Sequence, residues 1–208
     1  MENKNKIIER ALYLFTEYGI KGTTMDNIAV EVGISKRTLY ENFSDKKTLI
    51  TECVKYIINM HMEMEEELKN QNLSVIDEIF FKFKHLDEKF FNLSKLGLEI
   101  KRIFPDIFKE YAVPYHEKAH KNFTNWFKRG INEGLIIEYI DAELSIFMLN
   151  EAMYNLVFKK ERITATNLSL IDSFKYVSVF FFRGIATDKG IKMIDEYIKN
   201  YMNNNKIV

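Results

Sequence analysis

The 208-residue chain has one cysteine, two prolines and eight glycines, and its formal net charge is zero. The lone Cys53 forms no internal disulfide; among apolar neighbours on a helix it reads as a small buried hydrophobe in a reducing compartment. So few prolines and glycines leave little material for the turns of a many-stranded sheet, and long helices are favoured instead. With 30 Lys and Arg against 30 Asp and Glu, the bulk signature of a nucleic-acid binder is missing, so any DNA affinity has to be local. Even residues 1–50 hold only eight Lys and Arg against seven Asp and Glu, a net of +1. No run of about 18 apolar residues occurs, and the opening Met1-Glu2-Asn3-Lys4-Asn5-Lys6 lacks the apolar core of a signal peptide. The expectation is a soluble, cytoplasmic protein with no membrane partner.

What is present is an apolar share of 47%, including 17 Phe and 11 Tyr, which excludes a disordered chain. The length suits a small N-terminal module followed by a larger body. From Lys4, the apolar residues Ile8, Ala11, Leu12 and Phe15 recur on one helical face, and Gly19 reads as the end of that helix. Thr23-Thr24 offers an N-cap for a second helix that buries Ile28, Ala29 and Val32 and ends at Gly33. Ser35 caps a third helix with Leu39 and Phe43 inward, and Ser44-Asp45 caps a fourth that runs without proline toward Lys69. Beyond it, periodic segments are expected over 74–91, 94–103, 115–133, 141–160, 168–183 and 188–202. The breaks are expected at Asn70-Gln71-Asn72, Pro105, Pro114, Gly134 and Gly184. No repeat or long linker separates the parts, so they share the fourth helix.

A helix-turn-helix needs a glycine able to take positive φ at its turn, then an apolar residue that seals the two helices together. Gly33 and Ile34 meet both demands. Ser35, Lys36, Arg37 and Thr38 then occupy the N-terminal end of the reading helix, where backbone amides and the dipole attract phosphate. The run from Thr23 to Lys47, with its helix-opening Thr, Ile28-Ala29, Gly33-Ile34-Ser35, Thr38-Leu39-Tyr40, Phe43 and Lys46, resembles the N-terminal signature of the TetR family of repressors. The resemblance implies an all-α fold. A three-helix DNA-binding domain with a helix-turn-helix over 1–47 is joined by a long helix to a larger helical domain for effector binding and dimerisation over 48–208. It further implies that Thr24, Ser35, Tyr40 and Lys46 hold phosphates, that Lys36, Arg37 and Thr38 face the groove, and that Asn42 stands between phosphate and solvent. Arg37 and Glu41 depart from the residues many members carry there. Arg37 is a candidate partner for guanine, whereas Glu41 either accepts from cytosine or repels phosphate.

His116-Glu117-Lys118-Ala119-His120 matches the H-E-x-x-H pattern of zinc hydrolases, with Glu138 or Asp141 as a conceivable third ligand. Lys118 and Lys121 place cations where such a metal would sit, and the sequence reading assigns no enzyme activity, no cofactor and no metal. A metal-sensing regulator using His116 and His120 is the milder alternative. Ile79-Phe80-Phe81, Phe90-Phe91 and Trp126 are mostly core material, while Phe104, Phe123, Phe127, Asn150 and Tyr154 are candidates to line an effector cavity for an unidentified small molecule. The segments 141–160 and 168–183 are apolar on more than one face, which requires cover on two sides. A two-fold homodimer with a four-helix bundle at that face supplies it, and places two reading heads on a palindromic double-stranded operator.

Overall fold

The computed structural model describes residues 2–85, 88–158 and 169–205. Helices follow one another as α1 (Glu2–Gly22), α2 (Met25–Val32), α3 (Lys36–Asn42), α4 (Lys46–Asn70), α5 (Val75–Lys84), α6 (Glu88–Ile103) and α7 (Pro105–Ile107). A π-turn at Phe108–Ala112 leads into α8 (Val113–Asn132), and α9 (Ala142–Phe158), α10 (Leu170–Ile185) and α11 (Asp188–Asn205) complete the order. Among the described residues the extended structure amounts to an isolated antiparallel bridge between Ile136 and Ala186. The expected all-helical architecture is therefore what the described residues form.

Local chemistry explains most boundaries. Ser74 caps α5 by accepting from the Asp77 amide, and Ser169 caps α10 by accepting from the Asp172 amide. Three boundaries differ from the sequence reading. Gly19 (φ 73°, ψ 161°) kinks α1 rather than ending it, and the chain resumes helical form to Gly22. The segment expected over 74–91 is two helices, because α5 stops at His85 and α6 begins at Glu88. Pro114 follows directly on the π-turn Phe108–Ala112, and the helical run continues through it into α8, so it does not break the chain. The expected limits at residues 160 and 168 lie outside the described residues, as do the side chains of Phe90 and Phe91.

The chain divides into two compact units, Met1–Glu66 with Lys89–Glu117, and Glu67–Glu88 with Lys118–Val208. A cut after residue 47 falls inside the first of these. In the first unit, Ile7, Ala11 and Phe15 of α1, Ile28 of α2, Leu39 of α3, Leu49, Ile50 and Cys53 of α4, and Leu96 and Ile100 of α6 form one buried cluster. Cys53 is the small core residue its neighbours implied, and burial pushes its thiol pKa strongly upward, which leaves it an inert thiol.

The second unit is built on Val75, Ile76, Ile79, Phe127, Leu135, Ile136, Phe182, Ile185 and Ile194. Its connections are close. A Cβ at Gly190 would stand 2.4 Å from the Leu135 carbonyl oxygen, and one at Gly130 would stand 2.4 Å from Ile136 Cγ1. Arg129 ties this unit together by pairing with both Glu78 and Glu133. On its outside, Leu144, Phe147 and Met148 of α9 and Tyr176 and Phe180 of α10 are exposed, with Phe147 at 61% and Phe180 at 71%. α9 and α10 pack side by side, and these residues recur at i, i+3 and i+4, so each helix presents an apolar stripe to solvent. No helix among the described residues is long and apolar enough to cross a membrane.

Candidate nucleic-acid interface

The reading head is assembled by three caps. Thr24 is the N-cap of α2: its hydroxyl accepts from the Asn27 amide at 3.1 Å while the Asn27 side chain accepts from the Thr24 amide at 2.8 Å, a reciprocal capping box. Gly33 ends α2 in the left-handed region (φ 77°, ψ 36°), and its N–H reaches the carbonyls of Ala29 and Val30. A Cβ at Gly33 would meet nothing within 4 Å, so the glycine is required by backbone conformation and not by space. Ser35 then caps α3, its hydroxyl accepting from the Thr38 amide at 3.0 Å and lying 2.8 Å from the Thr38 hydroxyl. Leu39 and Phe43 are buried beneath it, so α3 is held by one apolar side and leaves the other to solvent.

That free side carries Ser35, Lys36, Arg37 and Tyr40, all exposed, with Thr24 exposed at the start of α2. The structure thus brings five of the eight sequence-selected residues to the surface of one module. The other three are half-buried. Thr38 is shared with the Ser35 cap, and Asn42 donates its side-chain amide to the Thr38 carbonyl at 2.8 Å, which spends a donor inside the helix.

Lys46 is placed otherwise than the resemblance implies. Its ammonium donates to the main-chain carbonyls of Ile20 and Thr23 and lies 5.9 Å from the Phe15 ring centroid. Burial lowers its pKa, and the nearby Glu99 carboxylate partly restores it. The kink at Gly19 explains the arrangement: it leaves the Ile20 N–H without its helical acceptor, and Glu99 on α6 takes that hydrogen bond with both oxygens at 3.1 and 3.2 Å. Lys46 satisfies carbonyls at the same end of α1. Glu99 is a residue that sequence reasoning missed, because a contact across 79 positions leaves no local signal.

The charges on the reading side are largely paired within the protein. Lys36 Nζ lies 2.5 Å from Asp26 Oδ2 on α2, and Arg37 Nε lies 2.9 Å from Glu41 Oε1 one turn further along α3. Arg37 is 89% exposed and Glu41 59% exposed, so this second pair stands in solvent. The i, i+4 spacing of Arg37 and Glu41 was a legible signal for it. Lys47 also pairs inside the protein, with Asp106 at 2.6 Å, which raises the pKa of Lys47 and lowers that of Asp106.

The remaining candidates scatter. Phe104 packs against the core of the first unit; Phe123 packs against that of the second, where Phe127, at 1% exposure, is itself core. Asn150 and Tyr154 are exposed on α9. In the H-E-x-x-H stretch, His120 Nε2 pairs with Glu143 at 2.9 Å, and His116 stands among rings, 5.9 Å from Phe108 and 5.7 Å from Tyr115. Among the described residues no group of three or more His, Cys, Asp and Glu is placed to hold a metal.

A capped helix-turn-helix in a chain whose described residues are almost all helical is an arrangement that suits the major groove. Residues 7–53 match the family model of the bacterial regulatory proteins of the tetR family. The chain is 38% identical over 84 residues to the biofilm operon icaADBC HTH-type negative transcriptional regulator IcaR of Staphylococcus aureus, a match that covers 38% of this chain and 45% of that protein. The chain thus spans about half the length of the curated relatives it matches. The fold is shared over much greater lengths. A putative transcriptional regulator from Saccharomonospora viridis in complex with choline superposes with a TM-score of 0.76 at 14% identity, covering 89% of this chain and 98% of that one. The regulator FadR from Bacillus subtilis in complex with stearoyl-CoA gives 0.65 at 19% identity, covering 86% and 98%.

Proposed function

We propose that this chain is a ligand-responsive transcriptional repressor, not an enzyme, that binds a palindromic operator as a homodimer. The observation that carries this reading is the exposed side of α3, where Lys36, Arg37 and Tyr40 follow a Ser35 cap at the end a major groove admits. Thr24 and Tyr40 hold phosphates and fix the register, and Arg37 reads a base edge. The apolar stripes of α9 and α10 supply the dimer face, since five large exposed hydrophobics on two adjacent helices have a natural cover in the same face of a second copy. The relatives' names support repression, and the choline and stearoyl-CoA carried by solved neighbours support a small-molecule effector for the helical body.

The test is capture of fragmented genomic DNA by the purified protein, followed by sequencing and footprinting of the enriched fragments. A repressor enriches a small set of fragments that share a two-fold symmetric motif with half-sites about one helical turn apart. Uniform recovery of all fragments, or none, refutes the reading.

A further inference from the structure

We infer that Arg37 and Glu41 form a latch on the reading helix that withholds Arg37 from phosphates and releases it to a specific base edge, making Glu41 a specificity-determining residue. The inference rests on the DNA-binding reading above. Three observations carry it. Arg37 is the most solvent-open cation of the reading side at 89% exposure, yet its Nε sits 2.9 Å from a carboxylate on its own helix. The neighbouring cation, Lys36, is likewise closed by Asp26 at 2.5 Å. The head as a whole has almost no surplus positive charge, eight Lys and Arg against seven Asp and Glu over residues 1–50, so pairing decides which cations a duplex meets.

The physical logic is a comparison of small biases. An exposed i, i+4 ion pair biases its closed form by only about two-fold. A single non-specific phosphate contact is of similar size, changing affinity about 3.5-fold between about 50 and 200 mM salt, and forming it from Arg37 leaves the Glu41 carboxylate unpaired beside the same anionic backbone. The two effects nearly cancel, so random DNA gains little by opening the pair. A bidentate guanine contact is worth roughly five- to 150-fold and opens it. The carboxylate set free then points along the same groove, where it rejects phosphate and accepts from an exocyclic amine. Glu41 therefore subtracts from random binding more than from operator binding.

The experiment measures salt-dependent binding of the full-length protein to a mixed-sequence 30-base-pair duplex and to the duplex selected from genomic fragments, for wild type, Arg37→Ala, Glu41→Gln and the double variant. On the mixed duplex, Arg37→Ala should leave the slope of log K against log salt almost unchanged. Glu41→Gln should steepen that slope by about 0.9, and the double variant should lose that gain. On the selected duplex, Arg37→Ala should weaken binding at least five-fold, and Glu41→Gln should lower the ratio of selected to mixed affinity.

A slope already lowered by about 0.9 in Arg37→Ala alone overturns the latch, because Arg37 would then be on a phosphate from the start. A Glu41→Gln gain that persists without Arg37 overturns it too, since simple repulsion of DNA by Glu41 would explain it. If wild type binds neither duplex at about 50 mM salt, the DNA-binding reading itself falls. Circular dichroism of each variant confirms that α3 remains folded, as both side chains lie on the surface.

Discussion

Lys46 separates a phosphate contact from a structural one, because the two roles move different measurements. In the structure its ammonium is directed at the carbonyls of Ile20 and Thr23, beneath a kink where Glu99 already satisfies the Ile20 amide. Replacing it by Met keeps the length and apolar stem but removes the cation from both carbonyls. A hydrogen bond from a charged group contributes about 1.5–3 kcal/mol, and a carbonyl left buried without a partner costs about 1–3 kcal/mol. The lowered pKa shows that burial of the ammonium offsets part of that gain. The expected net loss for Lys46→Met is therefore about 1–3 kcal/mol, or a fall of about 2–4 °C in melting temperature per kcal/mol for a chain of this size. Urea denaturation followed by circular dichroism reads the stability, and salt-dependent binding to a mixed-sequence duplex reads the contact. The structural role predicts a lowered urea midpoint with an unchanged salt slope. An unchanged midpoint with a slope reduced by about 0.9 would restore Lys46 to the phosphate contacts and refute the argument from its carbonyl partners.

Two glycine substitutions should fail for different reasons. Gly33→Ala, with open space around the new Cβ but φ at 77°, should cost about 1–2 kcal/mol from backbone strain alone. Urea midpoints of Gly33→Ala and Gly33→Asn should differ, because Asn tolerates the left-handed region and should recover part of the loss. Gly190→Ala should cost more, about 3 kcal/mol or above, because its Cβ meets the Leu135 carbonyl at 2.4 Å on a main chain that cannot yield as a side chain would; a midpoint equal to that of wild type would show α11 free to shift. His61, half-buried with its Nδ1 3.2 Å from the Tyr115 hydroxyl, has its pKa lowered by burial first, with His116 also lowering it and Glu65 opposing. A His with a depressed folded pKa contributes stability that is complete above its unfolded value near 6.5 and is lost as pH falls through the folded value. Wild type should therefore lose stability as pH falls below about 6.5, and His61→Gln, measured by urea midpoint on either side of that value, should flatten part of that loss.

The periodicity of apolar residues and the caps at Thr24, Gly33 and Ser35 are local properties, each set within about one helical turn. They therefore determined from sequence alone that the chain is helical, where its reading helix begins, and which of its residues reach solvent: Ser35, Lys36, Arg37 and Tyr40 stand exposed as their spacing on α3 requires. The family resemblance was equally local, confined to a segment in which backbone turn, core residues and surface residues are all fixed by short spacings. What the sequence could not decide was where a polar side chain spends its charge. Lys46 has the right position in the motif, yet the kink at Gly19 and the arrival of Glu99 from 79 residues away turn it toward carbonyls. The same holds for the aromatics, since Phe104 and Phe127 are alike in a sequence and only packing assigns them to the cores of different units. Caps and periodicity act over a few bonds and can be read from neighbours; burial, pairing and cavity formation depend on which distant surfaces meet, and that is decided by the tertiary fold.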